Sequence, residues 1–381
     1  MKKKNIVFIT GTRADYGKLK SLMREIQKCN QFELHIFVTG MHMLSKYGST
    51  YSELEKDGFK NIHKFVNTRI NESMDITLSN TIVGFSNYVA EFKPDLIVVH
   101  GDRVEALAGA IVGALNNIKV AHIEGGEISG TIDESIRHAI TKFSHFHLVA
   151  NEEAKNCVIQ LGEKESSIFV IGSPDMDIMF SKKLPDLQFV KQHYDIEFEE
   201  YGIFMYHPVT TEIPHLKRNI IEVVNSLIDS GKNYIVVYPN NDPGSDIIFD
   251  ALKILEGNNR FRCFPSIRFE AFLVLLQNAT FMIGNSSAGV RETCVYGVPT
   301  IDIGTRQKGR YDQLKVSNVQ HVNESKAEIL KAIEQVDHFR CSGLSLYGNG
   351  NSSKEFINFL HNDSIWDMDI QKKFIPFNSQ F

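Results

Sequence analysis

The sequence predicts an α/β protein of two doubly wound parallel domains, and three observations carry that prediction. Short apolar runs rich in β-branched residues alternate with helical stretches about six times in the first half, and the same order returns in the second. Between the runs 96–99 and 120–123 lies a small-residue stretch, 103–117, of the length that crosses from one parallel strand to the next. The chain has 381 residues, too many for one ordinary core.

The elements follow in order. Residues 5–10 (NIVFIT) read as a buried strand, followed by a glycine turn and a helix to Lys28 with apolar Leu19, Leu22, Met23 and Ile26. Strands are expected at 33–39 and 61–66, then a long helix over 73–92 stopped by Pro94. Strands 96–99 and 120–123 flank the crossover helix. Helix 133–143, strand 147–150, helix 151–162 capped by Asn151, and strand 168–171 close the first half. Residues 184–200 are polar and acidic without a strong pattern, so the domains are drawn as 1–183, a linker 184–200, and 201–381, with the last helix free to pack back on the first domain. In the second half strands are expected at 201–206, 234–238, 261–264, 281–283 and 299–303. Helices are expected at 215–230, 245–255, 268–277, from the turn at 284–289 to 296, and at 326–336 and 353–361.

Composition narrows the function. Hydrophobic residues make up 43% and charged residues 23%, and no apolar run approaches the ~18 residues of a membrane span, so no membrane partner is expected. Three lysines open the chain, but the apolar stretch behind them, 6–9, suits a first strand rather than a signal peptide. Five cysteines without CxxC spacing imply neither disulfides nor a metal site and suit a reducing cytoplasm. The net charge of −5 carries no basic stripe, which argues against nucleic acid. An anionic ligand would have to be held by local arginines and helix starts.

In parallel sheets, ligands sit outside the carboxyl ends of the strands. His100, Asp102 and Arg103 follow one central strand, and His122, Glu124 and Glu127 lie at the end of the next. A single Gly-Asp there is often a turn and cap; two adjacent strand ends each with His, Gly and an acid point to chemistry. Arg13, in the turn after the first strand, is placed to hold a phosphate. That turn is neither GxGxxG nor GxxxxGK[ST], so no dinucleotide cofactor is implied. The stretch from Ile283 to Glu292 (IGNSSAGVRE) puts Ser286 and Ser287 at a helix start suited to a diphosphate. Glu292 is placed for ribose hydroxyls and Arg306 for phosphate charge. A nucleotide site in one half and an acid–histidine cluster in the other suggest a shared cleft.

These segments resemble a known family. GTRADYGKL (11–19), TGMH (39–42), HGDR (100–103), HIEGGEISGTIDESIRHAITK (122–142), HPVTT (207–211), IGNSSAGVRE (283–292) and GTRQKGR (304–310) are similar to the hydrolysing UDP-N-acetylglucosamine 2-epimerases of sialic-acid-type sugar biosynthesis. The resemblance implies two Rossmann-like domains of the glycosyltransferase-B type with the active site in the interdomain cleft, no cofactor, and a homodimer or homotetramer. It implies Asp102, Glu124 and His207 as catalytic, and Arg13, Ser286, Ser287, Glu292 and Arg306 as holding UDP. His42, Arg103, His122, Asp133 and Arg137 would line the sugar side. The reaction expected is UDP-N-acetylglucosamine plus water to N-acetylmannosamine plus UDP, through a glycal. Similarity to the UDP- or GDP-diacetylbacillosamine 2-epimerases of legionaminic acid synthesis leaves that sugar as an alternative. A glycosyltransferase of the same fold is a more distant one.

Overall fold

The structure is a computed structural model that describes residues 3–312 and 315–375. It divides into two compact units: Met1–Glu127, Asp133–Lys182 and Tyr347–Phe381 in the first, Ile128–Ile132 and Lys183–Leu346 in the second.

The first unit is built on seven parallel strands: β1 (Lys4–Thr10), β2 (Phe32–Val38), β3 (Ile62–Lys64), β4 (Leu96–His100), β5 (Lys119–Ile123), β6 (Phe146–Val149) and β7 (Ile168–Val170). Their order across the sheet is β3-β2-β1-β4-β5-β6-β7. Helices cover both faces, so the central strands are apolar throughout: Ile6, Val7, Phe8 and Leu96 to Val99 are all fully buried. The helix Arg13–Lys28 starts at Thr12, whose hydroxyl accepts from the Asp15 amide at 3.1 Å, and it buries the expected Leu19, Leu22, Met23 and Ile26. The order reverses between β1 and β4, the place where such sheets open a crevice.

The second unit carries β8 (Gly202–Met205), β9 (Tyr234–Val237), β10 (Phe261–Phe264), β11 (Phe281–Gly284), β12 (Thr300–Ile303) and β13 (Val319–Val322), all parallel, in the order β10-β9-β8-β11-β12-β13. Its core gathers Phe204, Ile220, Val236, Ile283, Ile301 and Ile329.

Several features differ from the sequence reading. Strand β13 was not expected. Its stretch Val-Gln-His-Val neither alternates nor forms an apolar run, and pairing with β12 makes it a strand. Short helices at Tyr51–Lys56, Pro174–Met179 and Leu187–His193 have too few turns to show a period. The last of these lies in the stretch taken as a linker. Asp186 caps it, Val190 is buried, and Asp195 just beyond pairs with Arg262 at 2.5 Å, so residues 184–200 belong to the second unit's fold. More than the last helix returns to the first unit. Phe356, Phe359, Leu360 and Ile365 pack into its core, with the Phe356 ring 5.9 Å from that of Phe8. Lys372 then donates to the Ser144 carbonyl at 2.7 Å and pairs with Glu163 at 2.5 Å. Long-range burial of this kind leaves no mark in a local pattern. No helix among the described residues is long and apolar enough to cross a membrane.

Candidate active site

Strands β4 and β5 pair with His100 opposite Ile123, so the residues that follow them leave the sheet side by side. Gly101 turns the chain in the left-handed region (φ +70°) and its amide donates to the Ile123 carbonyl at 3.0 Å. Glu124 is itself left-handed (φ +60°), a conformation non-glycine residues keep where the surroundings over-determine it, often at functional sites. Two residues on, Gly126 (φ +78°) has no room for a side chain, since a Cβ would lie 2.2 Å from the Ala154 carbonyl oxygen. Backbone geometry therefore dictates where the Glu124 carboxylate goes.

That carboxylate meets groups from two other elements, one of which carries a second acid behind it. The Ser173 hydroxyl, beyond β7, donates to Oε1. His100 Nε2 stands 3.1 Å from Oε2, and on the other side of the same ring Nδ1 lies 2.8 Å from Asp15 Oδ1. Burial works against charging this imidazole, but Glu124 and Asp15 outweigh it and hold the pKa up to about 10. Below them Arg137, 2% exposed on the helix Ile132–Phe143, ties the two strand ends together. Its guanidinium donates to the Asp102 carboxylate and to the Glu124 carbonyl (3.0 Å), and stands 3.4 Å from Glu127.

The other sugar-side candidates are placed differently. His122 is fully buried; its Nε2 donates to the Gly101 carbonyl (2.8 Å) and its Nδ1 faces the Thr141 hydroxyl (3.2 Å). Burial drives its pKa down to about 3. His42 sits between the Thr10 and Thr50 hydroxyls at 3.2 and 2.6 Å, with a pKa down to about 4, mainly from burial. Both are neutral rings that brace loops at the strand ends. Arg103 lies 3.7 Å from Glu105, Arg13 pairs with Glu53, and Asp133 is half-buried in the first turn of its helix. Arg13 thus belongs to the first unit, apart from the other four residues expected to hold UDP.

A pH dependence follows from these two rings. The unfolded chain takes up their protons as pH falls below 6.5, whereas the folded chain refuses them until about pH 4 for His42 and about pH 3 for His122. Their contribution to stability is complete above pH 6.5 and is lost as pH falls toward those folded values. Urea denaturation between pH 6.5 and 4.5 is expected to show stability of the first unit falling by about 1.4 kcal/mol per pH unit for each group. His42→Gln removes one such increment. An unchanged slope in that variant refutes the assignment. Glu163, held down to about 2 against its burial by His147, Lys142 and Lys372, acts only at lower pH.

In the second unit β8 and β11 pair with Met205 opposite Gly284. Gly284 (φ +133°) leaves no space for a side chain, because a Cβ would lie 1.9 Å from the Met205 carbonyl oxygen. The close approach brings Asn285 against the end of β8. The Asn285 side chain accepts from the His207 amide at 2.6 Å and donates to the His207 carbonyl at 2.8 Å, while its own carbonyl accepts from Arg306 (3.1 Å) and Gln307 (2.8 Å). Asn285 therefore links His207 to Arg306. His207 Nδ1 accepts the Asn240 amide at 3.3 Å, which assigns the ring proton to Nε2. The helix expected from the 284–289 turn to 296 is broken. A single 3-10 turn, Ser287–Gly289, is capped by Ser286, and a short helix Glu292–Tyr296 follows, with Glu292 buried at its first position.

Four residues in these networks escaped the sequence reading: Asp15, Ser173 and Asn285, and His100 as a partner for both acids. Ser173 stands at the carboxyl end of a strand, and the rule that selected Asp102 and Glu124 applies to it equally. Asp15 and Asn285 lie inside motifs already singled out.

Two parallel α/β units with polar clusters beyond their strand ends define a protein of the glycosyltransferase-B-like class. The fold agrees with that of the UDP-GlcNAc 2-epimerase from Methanocaldococcus jannaschii, solved in complex with UDP-GlcNAc and UDP. The TM-score is 0.81 over 93% of this chain and 99% of that one, at 21% identity. The profile described as UDP-N-acetylglucosamine 2-epimerase matches residues 24–361. The UDP-N-acetylglucosamine 2-epimerase of Neisseria meningitidis serogroup B is 46% identical, over 98% of this chain and all of that one. The UDP-N,N'-diacetylbacillosamine 2-epimerase (hydrolyzing) of Legionella pneumophila is 32% identical over 92% and 94%. The chain belongs to the UDP-N-acetylglucosamine 2-epimerase family.

Proposed function

We propose that this chain is a hydrolysing UDP-N-acetylglucosamine 2-epimerase that converts UDP-N-acetylglucosamine and water to N-acetylmannosamine and UDP. The observation that carries the reading is the pair of acids, Asp102 and Glu124, on adjacent strand ends that one buried arginine ties together. Kinship supports the substrate, since the Neisseria relative is named a UDP-N-acetylglucosamine 2-epimerase.

The C2 proton of the sugar is weakly acidic, so its removal is coupled to departure of UDP from C1. One base takes the C2 proton, the C–H electrons form the C1–C2 double bond, and the C1–O bond to UDP breaks. Arg306 and the amides around Ser286 and Ser287 stabilise the leaving diphosphate, with Arg13 as a further cation, and Glu292 accepts from the ribose. Water then adds to C1 and a proton returns to C2 on the opposite face. Two proton-transfer groups are needed on two faces, which is the work of Asp102, Glu124 and His207. His42, Arg103, His122, Asp133 and Arg137 shape the sugar side. The enzyme acts as a cytoplasmic homodimer or homotetramer.

Incubation with UDP-N-acetylglucosamine in D2O tests this. Release of UDP together with N-acetylmannosamine carrying deuterium at C2 is expected. Free sugar without C2 exchange, or transfer to an acceptor, indicates a glycosyltransferase instead. The Legionella relative's name favours one second reading, a hydrolysing diacetylbacillosamine 2-epimerase, and a parallel incubation with that nucleotide sugar separates the two.

A further inference from the structure

We propose that Asp15 and His100 are positioning residues that clamp Glu124 from behind and keep its carboxylate a proton acceptor. This rests on the reaction proposed above and assigns Glu124 to activation of the water.

The argument begins with the ring. His100 ends β4, and the left-handed Gly101 after it turns the backbone away, leaving the imidazole between two other elements. Asp15, from the first helix, stands 2.8 Å from Nδ1; Glu124, from the end of β5, stands 3.1 Å from Nε2. A neutral imidazole has one N–H and can serve one carboxylate. The Nδ1–Asp15 contact is a hydrogen bond and the Nε2–Glu124 contact an ion-pair distance, and a carboxylate against each nitrogen favours the ring with both N–H groups present, as the imidazolium. Burial disfavours that charge, and the two acids restore it, to a pKa of about 10.

Asp15 is in turn fixed. Its second oxygen accepts from the Gly11 amide at 3.2 Å, and its own amide donates to the Thr12 hydroxyl that caps the helix. The remaining groups around the ring leave this charge arrangement intact. His122, on β5, is neutral, with a pKa down to about 3. Arg137 engages the Glu124 carbonyl and the Asp102 and Glu127 carboxylates. Ser173 donates a neutral O–H to Glu124. The set Asp15, His100 and Glu124 carries one net negative charge before the reaction.

The proton account follows. With both ring nitrogens protonated, His100 has no lone pair to accept a further proton, so a proton reaching Glu124 stays there. As water adds to the glycal, one water O–H bond breaks, the oxygen bonds to C1, and the proton goes to Glu124. A different group returns the proton to C2. Loss of the His100 proton at high pH would remove the cation from behind Glu124 and halt turnover on the alkaline side.

Histidine labelled with 13C at Cε1 reads this directly. The His100 resonance is identified by its absence in His100→Gln and titrated from about pH 6 to pH 11 in the wild-type and Asp15→Asn proteins. The wild-type ring is expected to stay doubly protonated at about pH 8, and to lose its proton at least about one pH unit lower in Asp15→Asn. The alkaline limb of kcat for the UDP-sugar moves by the same interval, KM changes less than about threefold, and Asp15→Glu restores the limb. A wild-type ring already neutral at about pH 8 overturns the proposal, as does an alkaline limb that stays in place while the resonance moves. If Asp15→Asn does not fold, the wild-type titration still decides. If the wild-type protein turns over no UDP-sugar, the proposed function fails, and the titration judges the clamp independently.

Discussion

Replacing Glu124 by glutamine is expected to lower turnover of UDP-N-acetylglucosamine by about 10²–10⁴-fold while leaving UDP affinity unchanged. Glutamine has the same shape and can still accept the Ser173 hydroxyl, so the left-handed turn at 124 and the loop behind it have no reason to rearrange. What disappears is the charge facing His100 and the capacity to take a proton. Of the residues assigned to UDP, Ser286, Ser287, Glu292 and Arg306 lie in the second unit, and Arg13, in the first, pairs with Glu53. Steady-state rates give the first quantity and calorimetric titration with UDP the second. Turnover within about threefold of wild type removes Glu124 from the chemistry. A parallel loss of UDP binding means that the substitution has acted through structure.

The largest effect on stability is expected at Arg137. Changing it to methionine should cost about 3–5 kcal/mol, because it removes one partner of a buried ionic network and leaves the others charged. The side chain is almost fully buried, and it serves two carboxylates and one backbone carbonyl from two different strand ends. Methionine fills much of the volume but offers no donor. Asp102 and Glu127 then both lose that cation, and Glu127, the more buried of the two, must take up a proton or reach water. Lysine keeps the charge but cannot span three acceptors with a planar fork, and an intermediate loss is expected. Urea denaturation followed by circular dichroism measures both. A methionine variant within about 1 kcal/mol of wild type shows that the network is not stabilising the first unit.

Both substitutions touch residues that the sequence singles out, and this reflects how parallel sheets are built. A strand buried on both faces must be apolar along its length, so its end is marked by the first polar residues. His100 to Arg103 and His122 to Glu127 stand out for that reason. The same rule marks His207 after β8 and the Gly-Asn-Ser-Ser turn after β11. Alternation of short apolar runs with helices was enough for two doubly wound domains and for the right strands in the centre of each sheet. Edge elements were harder. β13 has two apolar residues, and its burial comes from one neighbour.

What the amino-acid sequence determined by itself is therefore the class of fold, the central strands, and the list of polar residues set at their ends. Those follow from local periodicity and from the cost of burying polar groups. The partners of those residues were decided only in three dimensions: Asp15 against His100, His100 against Glu124, and Arg137 across two strand ends. So was the return of the last helices to the first unit. The paired groups lie 85, 24 and 35 positions apart for Asp15–His100, His100–Glu124 and Arg137–Asp102, and no periodic signal spans such separations. Sheet register together with the packing of helices on the sheet brings them within hydrogen-bonding distance, and with it comes the electrostatics that makes one histidine a cation and another, two residues from the neighbouring acid, a neutral brace.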